Sequence, residues 1–354
     1  MRQGRKGPAR QGRLPRTIVA LACAGVLELL AGCATSAAGP SPPPASAPAR
    51  PAFGSYKDVT LARAPGSAAL VVAHEGASAP VLRAMPAAQP SVSWAFATGA
   101  CGSETWGGVA AADFSAANVA AFVAAGKRYV VSTGGQGGVF TCASDDAFER
   151  FLSHYASTSL EGVDFDIEAG QTPDDVDRLV RLVKAAAPRH PGLRWSFTIA
   201  TLGGDRAQAL APIGVTVMEA LRRHALDAIV NLMVMDYGPP EPANCVLGPD
   251  HRCDMGASAI HAAERLHHDW GVAWNRIELT PMIGGNDSVD EAFTLRDVDT
   301  VAAFARERGL AGVRFWSMDR DTDCPPGPAS DRCNTVGGVG TWGYTRRFLA
   351  ALGY

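Results

Sequence analysis

Three carboxylates stand at every second position of the stretch Gly162 to Gly170, "GVDFDIEAG": Asp164, Asp166 and Glu168, interleaved with Val163, Phe165 and Ile167. In an extended strand successive side chains point to opposite faces, so the acids form one column and the apolar residues form the other face. Like charges this close raise the cost of ionising all of them, and the cluster, titrating as a unit, retains at least one proton. A carboxyl kept protonated at neutral pH is a general acid. An exposed edge strand would more often mix Lys, Thr or Ser among its acids, whereas clusters of perturbed carboxyls concentrate at active sites. The column therefore reads as catalytic.

The elements that position it recur along the chain. Eight β-rich apolar runs begin as "YKDVTLA" near 56, "SVSWAFA" at 91, "RYVVSTG" at 128, "GVDFDIE" at 162, "LRWSFTIA" at 193, "AIVNLMVMDY" at 228, "RIELTPMI" at 276 and "GVRFWSM" at 312. Between most of them lie helical patterns, such as "DDAFERFLSHY" and "DDVDRLVRLVKAAA", several opening with Asp or Asn caps. The stretch after the first run, "PGSAALVVAHEGASAPVLRAM", is the least clear helix. This alternation predicts an α/β fold, a single (β/α)8 TIM barrel over residues 53–354. A doubly wound sheet would carry a Gly-rich phosphate turn after an early strand, and "VTLARAPGSA" has no G-x-G-x-x-G. Catalytic groups of a barrel sit at the C-terminal ends of its strands. Glu168 is thereby placed at the mouth, with Asp166 and then Asp164 deeper.

Composition narrows the partners. The chain has 354 residues, 47% apolar and 19% charged, enough to bury a large core. Of its 32 basic and 35 acidic residues, residues 1–32 hold six basic ones and only Glu28, leaving 26 against 34, a net of −8. Nucleic acid is excluded as a partner, because a binder needs a basic footprint. The basic start leads into "TIVALACAGVLELL", too short to cross a bilayer, so residues 1–32 read as a signal peptide. "LAGC", Leu30 to Cys33, resembles the bacterial lipobox. That resemblance implies that Cys33 is lipidated, and Ala34 after it implies passage to the outer membrane or cell surface of a bacterium. Residues 33–52, rich in Pro, Ala and Ser, read as an extended tether.

Of eight cysteines, Cys23 leaves with the signal peptide and Cys33 would carry lipid, so six remain in an exported chain: Cys101, Cys142, Cys245, Cys253, Cys324 and Cys333. An even number in an oxidising compartment points to disulfides. Fifteen pairings are open; chain neighbours, 101–142, 245–253 and 324–333, are favoured because each pair brackets loop-like sequence. No C-x2-C spacing suggests zinc, and His261, His267 and His268 fall on an amphipathic helix, where a solvated face is the simpler reading than a metal site.

"EGVDFDIE" resembles the D-G-x-D-x-D-x-E signature of glycoside hydrolase family 18, the chitinases and their relatives. Other segments are similar in order: "STGGQ" (Ser132 to Gln136), "NLMVMDYG" (Asn231 to Gly238), "FWSMDRDT", "CGSETWGG" and "TPMIGGND". The resemblance implies substrate-assisted, retaining hydrolysis of β-1,4-linked N-acetylglucosamine polymers, an exception to the two-carboxylate scheme. It implies Glu168 as the acid, Asp166 and Asp164 as charge stabilisers, and Asp236 as the residue orienting the acetamide. Trp316 would be the aromatic floor, with Met233, Met235 and, in a loop after the second strand, Trp106 beside the sugar. No cofactor is implied, and the protein is expected as a monomer. Two positions depart from the pattern. Glu161 stands where the first Asp is common, and Met235 stands where Tyr usually holds the acetamide, which brings Tyr237 forward as a replacement donor. Two alternatives are a glycan-binding lectin on the same barrel, which would usually lack Glu168, and an endo-β-N-acetylglucosaminidase acting on glycoprotein glycans.

Overall fold

Each of the eight runs forms a strand: β1 (Ser55–Asp58), β2 (Ser91–Ala100), β3 (Arg128–Gly134), β4 (Leu160–Asp166), β5 (Arg194–Ala200), β6 (Ile229–Met233), β7 (Ile277–Thr280) and β8 (Gly312–Val313). The computed structural model describes residues 50–64 and 66–354. The signal-peptide, Cys33 and most of the tether assignments lie outside the described residues. From β1 to β8, each strand pairs in parallel with the next in chain order. Ala52–Phe53, just before β1, pairs in parallel with β8. The result is an α/β fold with a mostly parallel central sheet. β4 is paired on both sides, which removes the edge-strand reading of its acids.

Seven long helices among the described residues follow the strands: α1 (Ala111–Ala124), α2 (Asp145–Tyr155), α3 (Pro173–Ala186), α4 (Pro212–Arg223), α5 (Met255–Trp270), α6 (Leu295–Arg308) and α7 (Gly343–Leu352). α3 shows why they form where they do. Thr172 and Asp175 make a reciprocal capping box, Pro173 opens the first turn, and Val176, Leu179, Val180 and Val183 bury one stripe. The expected Asp and Asn caps are mostly Ser144, Thr172 and Thr294, with Asp254 alone as an Asp cap. At the starts of α2 and α3 the Asp pairs sit in the first turn, where negative charge suits the helix dipole.

The unclear stretch after β1 is a hairpin, Val71–His74 against Ala77–Pro80, followed by a single helical turn at Val81–Ala84. Glu75 and Gly76 both take positive φ, 51° and 77°, as a two-residue hairpin turn requires. His261 and His267 are half-buried rather than solvated, each ring nitrogen meeting a backbone carbonyl, of Gly203 and Val272. The three disulfides are 101–142, 245–253 and 324–333, as expected from chain proximity, with Cα separations of 5.0, 5.6 and 5.7 Å.

The outer face of β4 packs into the core. Val163, Phe165 and Ile167 are buried, and the Phe165 ring lies 5.1 Å from Phe197 and 6.3 Å from Phe148 of α2. The inner face therefore has to accommodate the acids.

Candidate active site

The inner face is built in layers. Nearest the N-terminal ends of the strands, Arg314, only 3% exposed, is gripped by Glu278 (2.9 Å), Glu161 (3.1 Å) and Ser93 Oγ (3.0 Å). Arg194 joins both acids, at 2.6 Å to Glu278 and 3.3 Å to Glu161. Burial works against the ionised Glu161, but Arg314, Arg194 and Arg128 hold its carboxyl below the usual range. Glu161, the departure at the start of "EGVDFDIE", thus belongs to a buried ion cluster away from the acid column's open end.

Above it, Asp164 is satisfied entirely by hydroxyls. The β-register sets Ser132 on one side and Ser196 on the other, and both donate at 2.7 Å. Thr198 donates at 2.7 Å and Tyr56 at 3.0 Å. Asn231 supports this ring, donating to Thr198 Oγ1 (2.8 Å) and Tyr56 OH (3.1 Å) while accepting from Thr280 (2.8 Å). Each of these hydrogen bonds favours the ionised carboxylate, while burial in a low-dielectric interior disfavours it. Burial is the larger effect, and the Asp164 carboxyl is raised despite its four donors.

Asp166, the next acid up, is 4% exposed and its Oδ1 has no hydrogen-bond partner among the described residues. Burial first, then the charges of Glu168 and Asp164, push its carboxyl well above the usual range. Glu168, half-buried at the top, is also raised, by burial and by Asp236. Both Asp166 and Glu168 are thus raised, and the column shares its retained proton as a unit.

Two glycines of "STGGQ" allow this approach. Gly134, at φ 87°, lies so close to the Asp166 carbonyl that a Cβ would stand 2.1 Å from its oxygen. A Cβ on Gly135, at φ 79°, would fall 2.4 Å from the Phe96 ring. Phe96 in turn stacks on Trp316, with centroids 5.7 Å apart and planes 13° from parallel, and Tyr56 tilts against Trp316 at 6.1 Å.

These side chains enclose a cleft of about 630 Å³. Asp166, Glu168, Asp236, Met233, Met235 and Trp316 all line it, with Asp164 beneath, bonded to the lining residues Tyr56 and Thr198. Asp236 has φ 50°, a left-handed conformation for a non-glycine residue. Its Oδ1 accepts from the backbone N–H of Asp287 (2.7 Å) and Ser288 (3.2 Å).

Two expected residues are elsewhere. Trp106 is fully buried, stacked 4.2 Å from Phe114, and its Nε1 donates to Tyr155 OH (2.8 Å), which donates to Glu104 (2.7 Å). It packs the core under α1 instead of extending the cleft. Tyr237 is also buried, its hydroxyl unpartnered among the described residues and its phenol raised by burial; it does not line the cleft. The left-handed turn at Asp236 brings both 235 and 236 to the cleft and sends 237 inward, so Tyr237 cannot replace the missing Tyr. Residues not singled out beforehand are Tyr56, Phe96, Ser196, Thr198, Thr280, Arg206 and Asp287. Ser196 and Thr198 were findable as polar residues alternating with Trp195, Phe197 and Ile199, the same period that exposed the acids.

Met235→Tyr tests the other departure. Met235 is half-buried beside Asp236 at the cleft wall. A ring at this position extends into the cleft, so the turnover of N-acetylglucosamine oligomers that the sequence resemblance implies is expected to be unchanged or improved. A folded variant a hundredfold slower, measured by steady-state kinetics, would show that the pocket has repacked around Met.

No family model matches the chain. In sequence it is 28% identical over 215 residues to a probable bifunctional chitinase/lysozyme of Escherichia coli (strain K12), covering 56% of this chain and 24% of that protein. It is also 28% identical over 215 residues to endochitinase 11 of Metarhizium anisopliae, covering 56% and 40%. The match thus spans well under half the length of either relative. Among solved structures, the catalytic domain of a hyperthermophilic chitinase from Pyrococcus furiosus superposes with a TM-score of 0.66 at 25% identity, covering 86% of this chain and 97% of that one. The chain is similar in sequence to chitinases, and its described part has the mostly parallel α/β fold of a chitinase catalytic domain.

Proposed function

We propose that the protein is a glycoside hydrolase that cleaves chitin or chito-oligosaccharides by a substrate-assisted, retaining mechanism. The observation that carries the reading is Asp166, buried with a free Oδ1 between the hydroxyl-satisfied Asp164 and the cleft acid Glu168. Glu168 donates its proton to the glycosidic oxygen as the bond from C1 to that oxygen breaks. The substrate's acetamido oxygen forms the new bond to C1, giving a cyclic oxazolinium ion. Asp166 stabilises that cation, with Asp164 below sharing the charge. Asp236 orients the acetamide, and Trp316 stacks beneath the sugar's C–H face. The Glu168 carboxylate then takes a proton from water, which attacks C1 as the bond from C1 to the acetamido oxygen breaks, regenerating the acetamide and restoring the original configuration. Incubating the protein with chito-oligosaccharides and with a high-mannose glycopeptide, and weighing the products, tests this. Cleaved oligomers are expected. Bound but intact oligomers would indicate a lectin, and cleavage of the glycopeptide alone an endo-β-N-acetylglucosaminidase.

We also read the strand order as a (β/α)8 barrel. Supporting this, residues 52–58 pair with β8 through Ala52–Phe53 and with β2 through β1, and Tyr56 N donates to Phe315 O at 3.0 Å. The sequence of residues 1–33 supports export and lipid anchoring at Cys33, at the outer membrane or cell surface of a bacterium. Cys33→Ser is expected to abolish lipid labelling and release the protein from membranes. Membrane association and labelling that persist in the variant would defeat that reading.

A further inference from the structure

Asp236 owes its place in the cleft to a loop from a different strand. After β7, the short antiparallel pair Gly284–Gly285 and Ala292–Phe293 frames residues 286–291, "NDSVDE". Asn286 accepts from Asp236 N (3.2 Å) and donates from Nδ2 to Met282 O (3.0 Å) and Gly284 O (3.1 Å). Ser288 Oγ accepts from Gly238 N (3.1 Å), and the amides of Asp287 and Ser288 hold Asp236 Oδ1. Asn286 N closes the loop on Glu291 O (2.9 Å).

Glu291 is the unexpected member. It is 3% exposed, and no Lys, Arg or His pairs with it among the described residues. Its Oε2 accepts from Tyr237 N at 3.1 Å. Its Oε1 lies 3.9 Å from Cys253 Sγ, a sulfur engaged in the 245–253 disulfide and without a proton to give. A buried carboxylate without a cation is costly, and an amide would serve packing more cheaply. Such a residue, in contact with the turn that aims a cleft acid, has a task tied to that turn.

We propose that Glu291 is a positioning residue: its carboxylate fixes the Tyr237 amide and so locks the left-handed turn that points Asp236 into the cleft. The charges around this turn are Asp236 itself, Asp287 and Arg320, which act on Asp236, Asp297, which acts on Tyr237, and the Arg252–Asp290 pair beside Glu291 in sequence. Burial first, and then the neighbouring Asp236, raise the Glu291 carboxyl to about 7, with the Tyr237 amide opposing. The kinetic part of the proposal rests on the hydrolase reading above; the structural part does not.

Two variants test it. Glu291→Ala is expected to lower kcat on chito-oligosaccharides by about 10²-fold with little change in KM, the scale of a misplaced positioning group. Without any substrate, the Tyr237 amide should exchange much faster in that variant. Glu291→Gln keeps an acceptor for the Tyr237 amide and should restore most of kcat, with slow exchange. Glutamine does not ionise, so any step that the Glu291 carboxyl puts into the pH profile near pH 7 should be absent from this variant. Wild-type kcat and wild-type Tyr237 exchange in Glu291→Ala would overturn the proposal. Should the Ala variant not fold, a folded Gln variant whose Tyr237 amide exchanges fast despite its retained acceptor, or whose kcat falls by about 10²-fold, would overturn it instead. A wild-type protein that leaves the oligosaccharides intact would defeat the hydrolase reading alone, since the exchange measurement still decides the role of Glu291.

Discussion

Glu168→Gln is expected to cut turnover of chito-oligosaccharides by about 10²–10⁴-fold, the usual worth of general acid catalysis, while leaving their binding nearly intact. Glutamine keeps the size of the side chain and an oxygen for hydrogen bonding but has no proton to transfer to a leaving oxygen. The surroundings that would bind sugar are untouched: Trp316 keeps its stack on Phe96, and Asp236 keeps its two amide donors. Burial and Asp236 raise the Glu168 carboxyl, so in wild-type protein the acid form persists above the usual carboxyl range and the alkaline limb of the rate profile lies correspondingly high. Initial rates with a chromogenic chito-oligosaccharide, with binding followed by tryptophan fluorescence, provide the measurement. A lectin would have no turnover to lose, and undiminished cleavage in the variant would remove Glu168 from the mechanism.

The acid column was legible because a strand has a period of two and acids are conspicuous on it; the same register carries Ser132 and Ser196 to Asp164. The eight strands were legible for the related reason that two-sided burial makes them apolar runs. The disulfides were legible because each pair joins successive cysteines, two of the pairs only 8 and 9 residues apart and the third, 101–142, 41 apart. What the sequence concealed are properties of long-range packing. A Trp in a loop could serve a cleft or a core, and only the chain of contacts from Trp106 through Tyr155 to Glu104 decides it. Alternation along a strand would have sent Asp236 away from the cleft that Met235 faces. A single left-handed residue, held by a loop about fifty positions further on, reverses that and buries Tyr237. The ring of Tyr56, Thr198, Asn231 and Thr280 joins four strands, so none of its members stands out alone.

Asp166→Asn is expected to do two opposite things: to lower turnover by about 10²-fold or more and to make the folded protein more stable at neutral pH. Activity falls because the amide has no negative charge to set against the oxazolinium ion, and electrostatic stabilisation of this kind is commonly worth 10²–10³-fold or about 2.7–4 kcal/mol. Stability rises for a reason visible in the resting site. The Asp166 carboxyl is raised well above its unfolded value by burial and by Glu168 and Asp164, and its Oδ1 is unpartnered. A group whose folded pKa is raised contributes its stability below the unfolded pKa, about 3.9 for Asp, and loses it as pH rises through the folded value. At neutral pH the unfolded chain is free to ionise Asp166, while the folded chain must either hold the proton or bury the charge. Asparagine escapes that penalty. The Tm of Asp166→Asn should therefore exceed that of wild type at pH 7, and the gap should close as the pH falls below about 4. A variant that is slower but no more stable at pH 7 would mean that Asp166 is better solvated than its burial implies. One that is more stable and equally fast would mean that the column's middle acid takes no part in catalysis.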